Sequence, residues 1–207
     1  MTCIAAIADL HGNLPTIPRC DLLLIAGDIV PVWERDLEYQ QWWLDDDFRD
    51  WLLNAPAIAV VAVAGNHDSI FEKAPHLVPS LPWHYLQDDL IEINGLRIYG
   101  LPWQRWFFDG SFNLNETDLD AKYDAIPSCD VIVSHGPPYG FGDSTSEGSC
   151  GSQAFVRAID RVRPKLAVFG HIHDGHGLFS RNETILANVA HTDDSFKPVF
   201  EPMIFQL

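Results

Sequence analysis

Short, nearly continuous runs of apolar residues recur along the chain, with turns or longer polar segments between them. The runs are dominated by Ala, Val, Ile and Leu, and they span residues 4–8, 22–26, 58–64, 131–133 and 166–169. Continuous apolarity, in contrast to strict alternation, is typical of strands that are buried on both faces of a sheet. The pattern therefore predicts a central β-sheet structure that is covered on both sides.

Two longer segments carry apolar residues at helical spacing. In residues 34–54 the apolar positions fall on one face and the acidic run 45–47 falls on the other, so this run is predicted to be a solvated helix face. The apolar positions of that segment are Leu37, Leu44, Phe48, Trp51 and Leu52. A second helix is predicted over 152–162, ending before Pro164, and a shorter helix is predicted to end at 122–125.

The remaining segments predict short strands. Residues 83–99 have a turn signal at Asn94-Gly95, and residues 177–207 are similar in character. With no internal repeat or linker, the sequence predicts one α/β domain spanning 1–207, with strands in the middle and helices outside. Open α/β sheets place their binding sites at the carboxyl ends of the strands.

The composition limits the classes of protein that fit. The chain has 207 residues, 47% of them apolar and 20% charged, which suits one domain with a sizeable core. No apolar run approaches a membrane span, and no basic segment precedes the first apolar run, so we expect neither a membrane span nor a signal peptide. Four separated cysteines without a CxxC pattern favour free thiols and a cytoplasmic location. A net charge of −16 argues against a long nucleic acid as partner, but not against a small phosphate ester.

Side chains that bind metals follow the apolar runs. They belong to five segments: Asp9-Leu10-His11, Gly27-Asp28, Gly65-Asn66-His67-Asp68, Ser134-His135-Gly136 and Gly170-His171-Ile172-His173. Residues two apart in extended backbone point the same way, so Asp9 and His11 can reach one target, as can His171 and His173. One histidine at a strand end is more often structural, whereas a constellation of such residues is what a site requires.

The candidate ligands are oxygen and imidazole donors without a thiolate among them. They are Asp9, His11, Asp28, Asn66, His135, His171 and His173. This donor set suits Mn, Fe, Zn or Mg, with Mn favoured, and disfavours a closed structural zinc site. The set is too large for one tetrahedral ion and suits two divalent ions that share a bridging carboxylate. The two ions together carry four positive charges, and Asp9, Asp28 and a bridging hydroxide would cancel three of them. The remaining net positive charge of about one would attract a phosphate anion.

The order of the five segments resembles that of the calcineurin-like metallophosphoesterase superfamily. Further segments are similar to its metallophosphoesterase-domain (MPPED-like) phosphodiesterase group, so the resemblance spans nearly the whole chain. These segments begin at Gly100, Ser134, Arg161, Phe169 and Ser195, and the first reads Gly-Leu-Pro-Trp-Gln-Arg-Trp-Phe. The resemblance implies a four-layer α/β sandwich, in which two packed mixed β-sheets are flanked by helices.

The resemblance also implies a role for each candidate residue. One ion would be held by Asp9, His11, Asp28 and His173, and the other by Asp28, Asn66, His135 and His171, with Asp28 as the bridge. His67 would lie beside the scissile phosphate, as the acid for the leaving group or as a charge stabiliser. The implied activity is hydrolysis of small phosphodiesters, cyclic nucleotides above all, by direct attack of a metal-bridging hydroxide.

Two departures from related sequences bear on the substrate and on the metals. The phosphoprotein phosphatases of the superfamily continue with a further Asp and an Arg after the position of Asp28. Here Pro31 replaces the acid that would orient His67, and the Arg that clamps phosphate is missing. A diester carries a single negative charge and needs no such clamp. Some animal proteins of the MPPED-like group carry Gly where His171 stands; this chain keeps the His, so we expect both metal sites to fill.

Two other functions stay open on the sequence alone. A phosphomonoesterase or protein phosphatase would use the same metal site, and a non-catalytic scaffold would keep the metals for stability. The ratio of monoester to diester hydrolysis would distinguish the first alternative from a phosphodiesterase. The complete set of metal ligands, together with His67, argues against the second.

Aromatic residues cluster near the third and fourth segments. They are Trp103, Trp106, Phe107 and Phe108, followed by Tyr139 and Phe141. We expect most of them to pack in the core and one or two to stack on a substrate base, with Trp103 as a candidate. Arg105 is the nearest candidate for a phosphate contact. Asp68 is expected to cap the next helix or to support the loop that carries His67.

Overall fold

The computed structural model describes residues 1–32, 36–108, 110–146 and 148–207. Within these ranges the strands are β1 (Cys3–Ile7), β2 (Cys20–Ala26), β3 (Ala57–Val63), β4 (His84–Tyr85), β5 (Asp89–Ile93), β6 (Leu96–Leu101), β7 (Gln104–Arg105), β8 (Asn113–Leu114), β9 (Val131–Ser134), β10 (Ser144–Thr145), β11 (Gly148–Ser149), β12 (Leu166–Phe169), β13 (Gly177–Arg181), β14 (Thr184–Asn188) and β15 (Met203–Gln206). The α-helices are α1 (Leu37–Trp43), α2 (Arg49–Asn54), α3 (Ser69–Lys73), α4 (Glu116–Asp124) and α5 (Gln153–Val162), with single 3₁₀ turns at Pro75–Leu77 and His173–Gly175.

Two mixed β-sheets form the centre of the fold. In the first sheet the order is β15-β1-β2-β3-β4, with β1 to β4 parallel and β15 antiparallel to β1. In the second the order is β13-β14-β12-β9-β6-β5, with parallel strands in the middle and an antiparallel strand at each edge. Because the central strands are covered on both faces, their sequences are the continuous apolar runs noted above.

The sheets pack face to face and each is covered by helices on its outer side. Leu24 of the first sheet and Val133 of the second belong to the apolar layer between the sheets. Phe48 contributes to the layer between the first sheet and its helices, and Phe155 of α5 to the layer behind the second sheet. The four-layer α/β sandwich predicted from the sequence is thereby confirmed.

The long amphipathic segment is helical, but not uniformly so. From Leu37 to Asn54 the predicted helix is present as α1 and α2, joined by a π-helical turn at Leu44–Phe48. The carboxylate of Asp36 caps α1 by accepting a hydrogen bond from the amide of Tyr39, and Glu34 lies outside the described residues. The acidic run 45–47 is exposed, as predicted.

The other helices follow the prediction in part. α5 occupies the predicted range, with the Ser152 hydroxyl accepting hydrogen bonds from the amides of Ala154 and Phe155. α4 ends at Asp124, within the predicted 122–125, and begins at Glu116, where Asn115 caps it by accepting a hydrogen bond from the amide of Asp118. The two-residue strands β7, β8, β10 and β11 were not predicted, since segments this short carry no periodicity.

Of the helices in the described ranges, none combines the length and apolar character needed to cross a bilayer. The predicted turn at Asn94-Gly95 joins β5 to β6, and both turn residues have positive φ, 53° and 76°.

The candidate ligands lie where five parallel strands end. Asp9 and Asp28 follow β1 and β2, Asn66 follows β3, and His135 and His171 follow β9 and β12. The two sheets join at this edge, where Ala8 forms a parallel bridge with Ala190. The topology thus brings residues that are distant in sequence to one junction between the sheets.

Phe48 provides a test of the outer core. Its fully buried ring stacks on Trp43 and Trp51 and meets the edge of Trp83, with centroid distances of 5.4–5.6 Å. We expect Phe48→Ala to lower the free energy of unfolding by about 3–5 kcal/mol, because it leaves a cavity that the neighbouring rings do not fill. Urea denaturation measures the change, with Phe108→Ala, at a position 77% exposed, as the matched control. Equal effects of the two substitutions would contradict the packing described here.

Candidate metal centre

Loops at the junction of the two sheets bring the seven candidate ligands together. The clusters with all ligand atoms within 4.8 Å of one another are Asp9–His11–His173, Asp9–Asp28–His135 and His11–Asp28–His67. Asn66 and His171 join the group through the close contacts between side chains described below. All seven are buried except His171, which is half-buried.

Asp28 lies at the middle of the group. Its Oδ2 is 3.7 Å from Nε2 of His11 on one side and 3.6 Å from Nε2 of His135 on the other. Its Oδ1 accepts a hydrogen bond of 2.8 Å from the amide of His67, which fixes the direction of the carboxylate. One oxygen of Asp28 thus faces both halves of the centre and is placed to act as a bridging ligand.

Asp9, His11 and His173 form the first half. The two Nε2 atoms of His11 and His173 are 3.2 Å apart, and Oδ1 of Asp9 is 3.5 Å from Nε2 of His173. The amide of His171 donates to the Asp9 carboxylate, and Nδ1 of His173 donates to the Asp193 carbonyl at 2.9 Å. Because Nδ1 of His173 is occupied, its Nε2 is the atom that remains for a ligand.

Asn66, His135 and His171 form the second half. Oδ1 of Asn66 is 2.9 Å from Nε2 of His135 and 2.8 Å from Nδ1 of His171. His135 donates from Nδ1 to the Ala26 carbonyl at 2.9 Å, so its Nε2 presents a lone pair to the Asn66 oxygen. Two acceptor atoms at such a separation can both bind one cation that lies beside them.

The backbone of the motif loops is held in an unusual conformation. Asp9, His11, Asp28 and His171 all have φ in the left-handed region, between 46° and 70°. Non-glycine residues seldom adopt this region, and each such residue costs on the order of 1–3 kcal/mol unless its surroundings enforce it. Four strained residues in one cluster indicate that the packing of the two sheets holds the ligands in place.

Gly27 is required by the close approach of the second sheet. Its φ is 92°, and a Cβ on it would be 2.5 Å from Nδ1 of His135. Any side chain here would therefore push His135 away from Asp28.

Charge and burial set the protonation of the ligands. Burial lowers the pKa of His11 to about 4 and that of His171 to about 3, so both rings are neutral at pH 7. Burial also lowers the pKa of His173, but the hydrogen bond and charge of Asp9 outweigh it and raise the pKa to about 9. In the metal-free protein a proton therefore balances Asp9 where a cation would otherwise do so.

The carboxylates are ionised despite their burial. Burial alone would raise the pKa of both carboxylates. His173 lowers the pKa of Asp9 below its usual value. The pKa of Asp28 is likewise below its usual value, because His135, His67 and His11 lie close to it. Nδ1 of His11 is buried without a hydrogen-bond partner among the described residues. Ionised carboxylates, the neutral imidazoles of His11 and His171, and acceptor atoms close to one another are the donor chemistry of a divalent metal site, so the residues present fit two such ions.

Asp68 supports this arrangement from behind. Its Oδ1 accepts from the amides of Ile29 and Val30, and its Oδ2 from the amide of Gly65, all at 2.8–3.0 Å. It makes no side-chain cap bond to α3, so of the two expected roles it has the loop-supporting one. The side chain ties the loop after β2 to the loop after β3.

His67 lies beside the first half of the centre. Its ring is half-buried, meets His11 edge to face at 4.9 Å, and is 6.2 Å from the ring of Phe196. Its carbonyl accepts from Nε2 of Gln40 and its amide donates to Asp28, so the main chain is fixed on both sides. No hydrogen bond reaches the ring from the described residues, in keeping with Pro31 standing where an orienting acid is expected.

The metal-binding group forms the floor of a cleft of about 750 Å³. The described residues that line it are Asp28, Asn66, His67, Trp106, Phe107, Phe108, Ser144, Thr145, Ser146, Cys150, His171, Ile172, His173, Asp174, Asp194 and Phe196. There is no Lys or Arg among them. Cations bound by the ligands would therefore add positive charge that no Lys or Arg side chain of the described lining supplies.

The two candidate substrate contacts lie outside this lining. Trp103 donates from Nε1 to Asp88 at 2.8 Å and packs under the ammonium of Lys122. Arg105 is exposed and lies 3.5 Å from a carboxylate oxygen of Glu116. Their contact with substrate stays a prediction to which the cleft, as it stands, gives no support.

Aromatic side chains form one wall of the cleft. Core packing was expected for most of this group, but Trp106 is 69% and Phe108 77% exposed. Phe196 was not singled out from the sequence, yet its ring is 4.8 Å from His11 and 5.6 Å from His173. The Ser195-Phe-Lys-Pro segment was the signal available, although it carries no metal-binding side chain.

The sequence matches a known protein family and several named proteins. Residues 3–175 match the family model of the calcineurin-like phosphoesterases. The chain is 30% identical to metallophosphoesterase domain-containing protein 1 of Homo sapiens over 238 residues, which cover 100% of this chain and 71% of that protein. The protein of the same name from Mus musculus matches with the same values.

A solved structure shows the same fold at low identity. The protein TT1561 of Thermus thermophilus superposes with a TM-score of 0.59 and 13% identity, covering 90% of this chain and 88% of the other.

The raised pKa of His173 predicts a proton release. At pH 7 the metal-free protein holds a proton on His173 and none on His11 or His171, so binding a divalent ion at Nε2 of His173 must expel about one proton. The apparent affinity for Mn²⁺ should then rise with pH up to about 9. Below that pKa the ion must displace the proton from His173, and above it the ring is already neutral. Calorimetric titration in two buffers of different ionisation enthalpy measures the release.

The control variants are His173→Gln, which should abolish the proton release, and His176→Gln, which should keep it. Binding enthalpies that are the same in both buffers would show that His173 is not protonated in the free protein.

Proposed function

Because this chain belongs to the calcineurin-like phosphoesterase family, we propose that it is a dinuclear metal-dependent phosphodiesterase that hydrolyses small phosphodiesters, cyclic nucleotides above all. The family uses divalent metals, and its members are phosphoester hydrolases. The observation that carries the proposal is a pair of donor sets sharing Asp28 at the floor of a cleft whose described lining has no Lys or Arg.

The proposed ligand sets are those expected from the resemblance. Asp9, His11 and His173 would hold one ion, and Asn66, His135 and His171 the other, with Asp28 between them. Divalent ions bound there supply a water of lowered pKa and positive charge for the phosphoryl oxygens. The donors are oxygens and imidazoles without thiolate, which suits Mn, Fe, Zn or Mg, and Mn²⁺ is the ion that we propose to test first.

The charge of the cleft supports a diester over a monoester. A monoester carries more negative charge than a diester near neutral pH, and no cationic side chain of the described lining is available to balance it. Asp174 and Asp194 line the same cleft and add negative charge. With a net charge of −16 on the whole chain, a small substrate is also favoured over a long nucleic acid.

His67 is proposed as the residue that assists the leaving group. Its ring lines the cleft next to the first donor set, and its main chain is fixed by Asp28 and Gln40. A proton held on the imidazole can pass to the departing oxygen, which would otherwise leave as an unstable alkoxide.

The compartment proposed for the protein is the cytoplasm. All four cysteines are free thiols, as a reducing compartment requires.

Hydrolysis of bis-p-nitrophenyl phosphate against p-nitrophenyl phosphate tests the proposal. We expect metal-stripped protein refilled with Mn²⁺ to hydrolyse the diester with a kcat/KM at least about tenfold above that for the monoester, because no Lys or Arg of the described lining is available to balance the second charge of the monoester. Asp28→Ala should abolish diester activity, and Asp46→Ala, at an exposed acidic position, should not.

Activity on the monoester alone would make the protein a phosphatase. A protein that binds Mn²⁺ and melts at a higher temperature with it, but hydrolyses neither ester, would instead be a metal-stabilised scaffold.

The leaving group tests His67. We expect His67→Ala to lower kcat by roughly a hundredfold or more on a cyclic nucleotide, whose leaving oxygen is a poor one, and much less on bis-p-nitrophenyl phosphate. The matched control is His76→Ala, which removes an exposed imidazole outside the cleft. The same loss on both substrates would show that His67 does not protonate the leaving group.

A further inference from the structure

The wall of the cleft above the second donor set is built from three consecutive aromatic side chains. We propose that Trp106, Phe107 and Phe108 form an aromatic subsite that selects phosphodiesters bearing a flat aromatic or heteroaromatic group. The inference rests on the proposed function and names the residues that determine the substrate preference.

Exposure and position single out these residues. Trp106 is 69% and Phe108 77% exposed, whereas large aromatic side chains are ordinarily buried. Phe107 connects them to the metal centre, since its ring meets the edge of His171 at 4.8 Å and the edge of Phe108 at 4.8 Å. A ring stacked on this wall therefore lies next to the second donor set and in the same cleft as His67.

The wall is held in shape by one side chain. Nδ2 of Asn113 donates to the carbonyls of Phe107, Phe108 and Gly110 at 2.9–3.3 Å. Oδ1 of Asn113 accepts from the amide of Phe107 at 3.2 Å and from Nε2 of Gln104 at 2.8 Å. Phe108 is kept in the left-handed region, with φ of 47°. Because these hydrogen bonds hold the main chain of Phe107, Phe108 and Gly110 before any ligand arrives, little conformational entropy is lost when a ring binds.

The rest of the cleft fits a flat group with a polar edge. Ser144 and Ser146 are exposed and line the cleft, and their hydroxyls both donate and accept hydrogen bonds. No cationic side chain of the described lining would bind a second anionic group in place of the ring. A planar group stacks on aromatic side chains regardless of the hydrogen-bonding atoms at its edge. The subsite therefore accepts different kinds of flat group.

Two diesters with the same leaving group test the subsite. Phenyl p-nitrophenyl phosphate and methyl p-nitrophenyl phosphate both release p-nitrophenolate and differ only in the second substituent. We expect the ratio of kcat/KM, phenyl over methyl, to fall about tenfold or more from wild type to the double variant Trp106→Ala/Phe108→Ala, because the stacking surface is removed. Comparing the ratio between proteins cancels the intrinsic reactivity of the two esters.

The controls separate the possible causes of a change. Trp42→Ala removes a tryptophan that is 53% exposed on α1 and outside the cleft lining, and should leave the ratio at the wild-type value. Asn113→Asp keeps all three rings but removes the donors that hold the loop, and should lower the ratio towards that of the double variant. An unchanged ratio in the double variant overturns the proposal.

Failure of the proposed function gives a different result. If the wild-type protein with Mn²⁺ hydrolyses neither diester, the phosphodiesterase proposal fails, and the subsite is then tested by calorimetric binding of the same two diesters. Tighter binding of the phenyl ester that the double variant loses supports the subsite, and equal Kd values for the two esters overturn it.

Discussion

Burial of two ionised carboxylates at the junction of the sheets is the constraint on which the rest of the site depends. Asp9 and Asp28 are 0% and 2% exposed, and an unbalanced buried carboxylate costs several kcal/mol. The described residues balance them with imidazoles and backbone amides, since there is no Lys or Arg among the described residues that line the cleft. A site balanced in this way has capacity for further positive charge, and bound divalent ions supply it.

The same constraint explains the conformation of the loops. The ligands come from strands of two different sheets, so they meet only if the chain turns sharply at each strand end. Left-handed φ values at Asp9, His11, Asp28 and His171 make those turns, and Asp68 compensates by binding three amides of two neighbouring loops. The rigid layers behind the loops hold this strained arrangement, because the packed sheets allow no relaxation.

What could be predicted from the sequence follows from the same physics. Buried parallel strands give continuous apolar runs and end where ligands are needed, so β1, β2, β3, β9 and β12 and the ligands after them were found together. The π-helical turn at Leu44–Phe48 was not found, since it keeps the same apolar side inward as an α-helix does. Most of the aromatic group was expected to pack in the core, and the exposure of Trp106 and Phe108 was not foreseen, because composition alone does not reveal which aromatic residues a loop turns outward. Phe196 was missed since its contacts are with histidines from two distant loops.

Asn113 separates the shape of the aromatic wall from the identity of its side chains. All its hydrogen bonds to the wall go to main-chain atoms, so the backbone of Phe107, Phe108 and Gly110 is fixed by groups that every residue possesses. The exposed side chain of Phe108 is therefore free to change in evolution without loss of the main-chain hydrogen bonds that set the loop geometry. A single scaffold with one hydrolytic centre can in this way be diversified towards new substrates by exchanges at a few surface positions.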